Sequence, residues 1–270
     1  MTSTKFQLRL RASSGADILS GKWTSELTQN QLDRISELES ERDTGLNKNG
    51  NKVSFTQNKA DELAELVARR DTPKDMNALP TGAKSHIEEL VEKHVYNYND
   101  HVNTFEMEKG TVCEPEGIDL YNTMFFTNYV KSESTLKKGA WVGHPDVEDE
   151  ENKILLDCKL PYTKKQMPKT DEQMRSYVTS GGYDWQVKVY MYMKGWTKGR
   201  VFCALVDTPE DLIKHGHDLS LHEMHDVPME LRVRCYDVEL TKDDVKRIKE
   251  REKAAQEYAT FYYNQITNNV

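Results

Sequence analysis

The stretch WVGHPDVEDEENKILLDCKLP, residues 141–161, governs the interpretation of the whole chain. An aspartate, Asp146, follows a proline and precedes an acidic turn, and the apolar run after that turn is typical of a buried strand. Side chains alternate along a strand, so Asp157 and Lys159 are expected on the same face. If the acidic turn reverses the chain into a hairpin, Asp146 comes close to Asp157. Two carboxylates and a lysine then share one site.

This set of side chains suits a hard divalent cation. Mg²⁺ takes oxygen ligands from one or two carboxylates and completes its octahedron with water and substrate phosphate. Such a metal would act as a Lewis acid and generate a nucleophile, while Lys159 orients or deprotonates the attacking water. A solvent-exposed hairpin with a surface aspartate and lysine has the same spacing, so the pattern alone leaves both interpretations open.

Three further segments extend the pattern. They are Arg11-Ala12-Ser13-Ser14 before a short helix, Lys109-Gly110-Thr111-Val112-Cys113-Glu114 running into Ile118-Asp119-Leu120-Tyr121, and Tyr183-Asp184-Trp185-Gln186 opening a helix. With Asp146 and Asp157-Cys158-Lys159, the chain resembles the PD-(D/E)XK nuclease superfamily, in the lambda-exonuclease or YqaJ-like branch of phage recombination exonucleases. The segments occur in the family's order and cover roughly residues 8–206.

The resemblance implies a Mg²⁺ site, at which Mn²⁺ can substitute, and a set of catalytic residues. The implied metal ligands are Glu114, Asp146, Asp157 and the carbonyl of Cys158, and the implied catalytic residues are Glu114, Asp146, Asp157, Lys159 and Gln186. In the family the glutamine lies next to the catalytic lysine. The corner at Arg11 and Ser13 lies near the DNA backbone in the family, which implies phosphate contacts for these two residues.

Each of these assignments has a simpler alternative. Glu114 precedes a proline, and an acidic residue at the start of a helix is favoured by the helix dipole alone. Ser13 is also a suitable helix N-cap beside a solvated Arg11. Gln186 is also explained as a polar residue at the border of a buried helical face. The residues by themselves leave these alternatives open.

The length and composition favour one soluble domain over residues 1–270, of which 37% are hydrophobic and 30% charged, and the resemblance implies that it is a nuclease domain. Within it we expect a mainly helical part at 1–100, the nuclease core at 101–240 and a C-terminal helix at 241–270. Neither an apolar run of 18 residues nor a signal-peptide core is found, so we expect no membrane partner. The expected location is the cytoplasm, that of a bacterial host if a phage encodes the chain.

The net charge and the positions of the cysteines limit how the chain can contact DNA and which metal sites it can form. The net charge of −8 argues against a generally basic DNA-binding surface, so we expect DNA contacts to use local positive potential and bound metal. The cysteines at 113, 158, 203 and 235 form no C-x-x-C pair, which argues against an iron–sulfur cluster. Four histidines, at 215, 217, 222 and 225, form a rival metal site, although a polar surface loop explains them without a metal.

The predicted fold is α/β, a restriction-endonuclease-like core with a central mixed β-sheet flanked by helices and an N-terminal helical region. The sheet strands are expected near 137–142, 153–160, 199–207 and 229–239, with a crossover helix at 183–196. N-terminal helices are expected at 28–43, at 56–70 and from Ser85 onward. In the first of these, Leu32, Ile35 and Leu38 form the expected buried stripe.

The expected function is Mg²⁺-dependent hydrolysis of DNA, as a phage-type exonuclease acting on double-stranded ends in recombination or repair. The expected partners are double-stranded DNA, a single-strand annealing protein and further copies of the chain in a homo-oligomer. A structure-specific or restriction-type endonuclease on the same core is the first alternative. A non-cutting, nuclease-like DNA-binding module is the second, and the complete carboxylate and lysine set counts against it.

Overall fold

The computed structural model describes residues 6–100 and 102–268. The α-helices of these residues are α1 (Gly15–Leu19), α2 (Gln29–Thr44), α3 (Gln57–Asp71), α4 (Thr81–Val95), α5 (Phe105–Val112), α6 (Glu114–Phe125), α7 (Asp171–Ser180), α8 (Tyr183–Lys194) and α9 (Lys242–Thr267). The strands are β1 (Leu10–Arg11), β2 (Leu136–Lys138), β3 (Trp141–Gly143), β4 (Val147–Asp149), β5 (Ile154–Lys159), β6 (Lys198–Ala204) and β7 (Val233–Glu239).

The strands form two mixed sheets, which confirms the predicted α/β class. The larger sheet has the order β4-β5-β6-β7, with β5 and β6 parallel and the outer pairs antiparallel. The predicted strand at 137–142 does not belong to it. Gly139, at φ +62°, turns this stretch into the β2–β3 hairpin, and β3 pairs with β1 in a separate three-stranded sheet. The predicted strand at 229–239 begins only at Val233, because a 3₁₀ turn follows Pro228.

The parallel β5–β6 pair is buried on both faces. Leu155 and Val201 face the main core together with α8, whereas Leu156 and Phe202 pack in a second cluster with α6. The predicted crossover is present, because α7 and α8 connect the two parallel strands. Side chains alternate along β5, so Asp157 lies on the same side as Leu155, the side that α8 covers. This sheet therefore carries charged residues into the core.

The starts of the helices follow from local chemistry. Thr28 and Gln31 form a reciprocal capping box at α2, as their spacing predicts. The helix predicted from Ser85 begins earlier, at Thr81, because Pro80 ends the preceding segment with a backbone suited to the position before a helix. Pro115 separates α5 from α6 and leaves Glu114 as the first residue of α6.

The pair α2–α3 has a small hydrophobic cluster of its own. It is formed by Leu27, Ile35, Leu38 and Leu63, with Phe55, Leu66 and Val67 at its edge. Leu32, predicted to be buried, is exposed, because the stripe that faces α3 is narrow. This part of the chain is therefore held by few apolar contacts compared with the sheet.

Helix α9 packs along α4 and α1 through small residues, including Ala254, Ala255 and Ala259. It is capped by Thr241 and Asp244. Within the described ranges, none of the helices has the length and apolar character needed to cross a bilayer.

Candidate active site

The hairpin of β4 and β5 sets the position of the first carboxylates. Val147 pairs with Leu156, so Asp146 precedes the strand opposite Asp157. Asp146 Oδ2 accepts a hydrogen bond of 2.6 Å from the backbone N–H of Cys158. The turn at residues 150–153 therefore brings the Pro-Asp pair against the end of β5.

Lys159 is held by several side chains at the end of the same strand. Its Nζ lies 2.7 Å from Asp157 Oδ2 and donates to Gln186 Oε1 at 3.2 Å. The Nζ also lies over the ring of Tyr183, 4.6 Å from the ring centre. Gln186 Nε2 donates in turn to the hydroxyl of Tyr190, at 3.0 Å. The structure thus brings Lys159 and Gln186 together, and the part they play in catalysis stays a prediction.

Burial perturbs the protonation of this group of side chains. Burial raises the pKa of Asp146, and the charge of Asp157 raises it further. Burial likewise raises the pKa of Asp157, against the opposing effect of Lys159. Burial by itself would lower the pKa of Lys159, but the charges of Asp157 and Asp146 hold it above its usual range. The raised pKa of Lys159 favours its ammonium form. Perturbed carboxylates beside a half-buried lysine in a cleft are typical of functional sites.

Glu114 joins this group from the start of α6. Its Oε2 lies 3.1 Å from Lys131 Nζ, whereas its Oε1 is buried and accepts no hydrogen bond from any residue that the structure describes. The side chain lines a cleft of about 640 Å³ together with Asp146 and Lys159. The other lining residues are Glu106, Met107, Gly110, Cys158, Leu160, Pro161, Tyr162, Gln166, Tyr177 and Tyr183. Asp157 has no exposed surface and lies behind this lining.

The donor atoms fit a hard divalent cation in their chemistry. Glu114 Oε1 and Asp157 Oδ1 are buried without hydrogen bonds from the described residues, and a cation would satisfy such oxygens. Among residues 6–100 and 102–268, no group of three or more His, Cys, Asp or Glu side chains is arranged to hold a metal ion. Lys159 lies against Asp157 and Lys131 against Glu114 instead. The metal assignment stays a prediction.

Arg11 and Ser13 lie on a separate corner of the molecule. Both are exposed, Arg11 at the end of β1 and Ser13 in the 3₁₀ turn that follows. Between them, Ala12 is buried, and a Cβ at Gly143 would meet both its methyl group and the ring of Tyr190. The corner is therefore packed on α8, although neither Arg11 nor Ser13 is among the lining residues described for the cleft.

The histidine-rich segment has a different arrangement. His222 is buried, with its ring nitrogens 3.2 Å from Thr208 Oγ1 and 3.2 Å from His217 Nδ1. Burial lowers the pKa of His222, which favours the neutral ring. His215 and His225 are exposed. The pair of rings thus anchors the loop beside Tyr162, whose ring packs edge-on against His222.

Two residues near the cleft were not assigned roles by the sequence. Lys109 is fully buried, and its Nζ donates to the carbonyls of Pro161 (2.8 Å), Val206 (2.9 Å) and Tyr162 (3.4 Å). It thereby ties α5 to the chain beyond the ends of β5 and β6. Tyr183 packs against Lys159 from the start of α8. The motif segments contained both residues, but only the tertiary structure shows their partners.

Comparisons with known proteins agree with this architecture. No family profile and no curated protein sequence matches the chain. Its structure is similar to a phage-related exonuclease from Haemophilus somnus 129PT, with a TM-score of 0.73 and 19% identity over 98% of each chain. It is also similar to an alkaline exonuclease from Laribacter hongkongensis, with a TM-score of 0.52 and 11% identity over 97% of this chain and 92% of that one. The chain therefore has the fold of these exonucleases, and the resemblance read from its motifs is confirmed at the level of the fold.

Proposed function

We propose that this protein is a Mg²⁺-dependent deoxyribonuclease, and specifically an exonuclease that starts at the ends of double-stranded DNA. One observation carries the proposal. On a fold shared with exonucleases, Asp146, Asp157 and Lys159 are gathered at the end of β5, beside a cleft that Glu114 also lines. Burying charged groups is costly, and sites that retain them commonly use them in chemistry.

Each residue has a defined part in the proposed reaction. Glu114, Asp146, Asp157 and the Cys158 carbonyl would hold the metal, which would polarise the scissile phosphate and favour a hydroxide nucleophile. Lys159, whose Nζ lies against Asp157 and Gln186 at the edge of the cleft, donates a hydrogen bond to water or phosphate. Gln186 fixes the ammonium by accepting one of its hydrogens.

The preference for ends rests on the charge of the chain and on the exposed corner. With a net charge of −8, the protein lacks a broadly basic surface for internal duplex, so DNA must enter a local groove. Arg11 and Ser13 supply a guanidinium and a hydroxyl that suit a phosphate of the DNA backbone. The proposed setting is phage recombination or repair, with a single-strand annealing protein and further copies of this chain as partners.

The decisive experiment compares linear and covalently closed circular duplex DNA, each incubated with purified protein and Mg²⁺. We expect the linear DNA to be degraded and the circle to remain intact. Mn²⁺ should replace Mg²⁺, EDTA should stop the reaction, and Ca²⁺ should support little turnover because its looser geometry positions water poorly. An Asp157→Ala variant purified in parallel controls for contaminating nuclease.

Two other outcomes would assign a different function. Equal cleavage of both substrates would establish an endonuclease on the same core. DNA binding without cleavage, identical in the wild type and in Asp157→Ala, would establish a non-cutting module. Activity that requires zinc would move the metal site to the histidine-rich segment.

A further inference from the structure

Three side chains contact the ammonium of Lys159, and the sequence predicted two of them as site residues. Asp157 lies 2.7 Å away and Gln186 Oε1 3.2 Å away, both within the predicted set. The third neighbour is the ring of Tyr183, whose centre lies 4.6 Å from the Nζ. A lysine side chain is flexible and loses rotamer entropy when it is fixed. Each of the three contacts therefore contributes to one defined position of the ammonium.

The surroundings of Tyr183 keep its ring in that place. Tyr183 is the first residue of α8 and lies three residues before Gln186, so the two side chains share a face of the helix. The ring packs on Tyr177, with centres 5.3 Å apart. A Cβ at Gly181 would lie only 2.5 Å from the ring, so this position needs glycine for the ring to lie where it does.

The Tyr183 ring differs from Asp157 and Gln186 because it does not accept a conventional hydrogen bond from the Lys159 ammonium. Asp157 and Gln186 each engage one hydrogen of the ammonium, whereas an aromatic face attracts the cation through its quadrupole. The ring also offers no strong ligand atom to a metal ion. One N–H of Lys159 therefore remains for a water molecule or a phosphate oxygen in the cleft that Lys159 lines.

We propose that Tyr183 is a positioning residue for the reaction: its ring holds the Lys159 ammonium so that one N–H stays directed to the substrate. The inference rests on the proposed nuclease function and extends it to a residue outside the predicted catalytic set. The phenol hydroxyl has no part in this role. The ring alone carries it, and phenylalanine should replace tyrosine.

The test compares three variants with the wild type on linear duplex DNA with Mg²⁺. Tyr183→Phe should stay within about twofold of the wild-type kcat, because the ring remains. Tyr183→Leu should lower kcat about fivefold and leave KM unchanged, since a lost cation–π contact is worth roughly 1 kcal/mol. Gly181→Ala should lower kcat in the same way, because its methyl group displaces the ring without altering Tyr183.

Tyr192→Leu is the matched control. Tyr192 lies on the same helix, and its ring makes the same kind of contact with a lysine, 4.3 Å from Lys138 Nζ, outside the lining of the candidate site. This variant should lose thermal stability and keep the wild-type kcat. If it lowered kcat as far as Tyr183→Leu, or if Tyr183→Phe behaved like Tyr183→Leu, the positioning role would be overturned.

A spectroscopic measurement separates this inference from the nuclease proposal. In the wild type and in Tyr183→Phe, the ring current should shift the NMR signals of the Lys159 ε-protons upfield, and Tyr183→Leu should remove that shift. Lys159→Met identifies these signals by their loss. A wild type that shows the shift but no cleavage would overturn the proposed function, and the positioning role of Tyr183 with it. An unshifted lysine in an active wild type would overturn the contact itself.

Discussion

Two regions of this protein contain ion pairs of nearly equal length in very different surroundings. In the helical pair α2–α3, Arg34 lies 2.8 Å from Glu62, and the two side chains are 35% and 42% exposed. At the end of β5, Lys159 lies 2.7 Å from Asp157, and the side chains are 18% and 0% exposed. The distances alone do not distinguish the pairs. Their surroundings differ in how much water remains around each charge.

The difference in hydration decides what each pair does. An exposed pair gains little, typically about 0–1 kcal/mol, because water already solvates both partners. A buried pair loses hydration that its mutual attraction repays only in part, so such a pair is weak support for stability by itself. The α2–α3 ion pair is therefore an ordinary surface ion pair. The buried position of the β5 ion pair is not explained by a gain in stability. The proposed reaction supplies an explanation.

The largest expected effect is on cleavage. Asp157→Ala and Lys159→Ala should each lower the rate of Mg²⁺-dependent DNA cleavage by about a thousandfold or more while the chain stays folded. Glu114→Ala and Asp146→Ala should do the same if they bind the same metal. Gel assays of linear duplex, with circular dichroism to check the fold, measure both properties. Near-wild-type cleavage by either of the first two variants would show that the site is misplaced.

The next effect is on stability and separates the two regions most sharply. Lys159→Met leaves the buried Asp157 and the half-buried Asp146 without their cation, so we expect a loss of roughly 3–5 kcal/mol in the free energy of unfolding. The double variant Asp157→Asn/Lys159→Met removes the unpaired charge and should recover most of this loss without recovering cleavage. Urea denaturation without added metal measures both. A double variant as unstable as the single one would contradict this explanation.

The exposed corner tests whether a solvated charge can still serve the reaction. Arg11→Ala should reduce the preference for 5′-phosphorylated over 5′-hydroxyl ends by about tenfold, the size of a lost hydrogen bond to a charged group. Cleavage as such should fall less. Arg9→Ala is the matched control, because Arg9 is an exposed arginine in the same segment. If both variants lowered the preference equally, a general charge effect would replace the specific contact.

The smallest effect belongs to the α2–α3 pair. A double-mutant cycle of Arg34→Ala and Glu62→Ala should give a coupling energy below about 1 kcal/mol in unfolding experiments. The coupling should decrease in 1 M salt, which screens exposed charges. The cleavage rate of each variant should equal that of the wild type. A coupling as large as that expected at β5 would remove the distinction between the regions.

The sequence predicted those features that depend on local chemistry. Alternation along residues 154–159 and the acidic turn before them predicted the hairpin that places Asp146 beside Asp157. Thr28 and Gln31 predicted the start of a helix, because a capping box involves only residues three apart. Pro115 predicted the break before α6 for the same kind of reason.

The sequence did not predict features that depend on residues far apart in the chain. The stretch 137–142 was assigned to the central sheet, because nothing in it indicates that β3 pairs with residues 10 and 11. On α8, a position at the border of the buried face was one interpretation of Gln186. In fact Gln186 is buried, since the sheet, α1 and the second sheet enclose this helix from several sides. Lys109 was given no role, because its carbonyl partners lie 52 to 97 residues away.

The parallel pairing of β5 with β6 has a consequence for the chain during its synthesis. A parallel partner can be added only after a long crossover, and here that crossover contains both α7 and α8. Until residues 198–204 have left the ribosome, β5 lacks its parallel neighbour β6. The carbonyl of Val206, which follows β6, also cannot yet accept its hydrogen bond from Lys109 Nζ. A nascent chain therefore carries its acidic residues for a long time without the scaffold that makes them a site. If the chain is a nuclease, the capacity to cut arises only after β6 has been synthesised and has paired with β5.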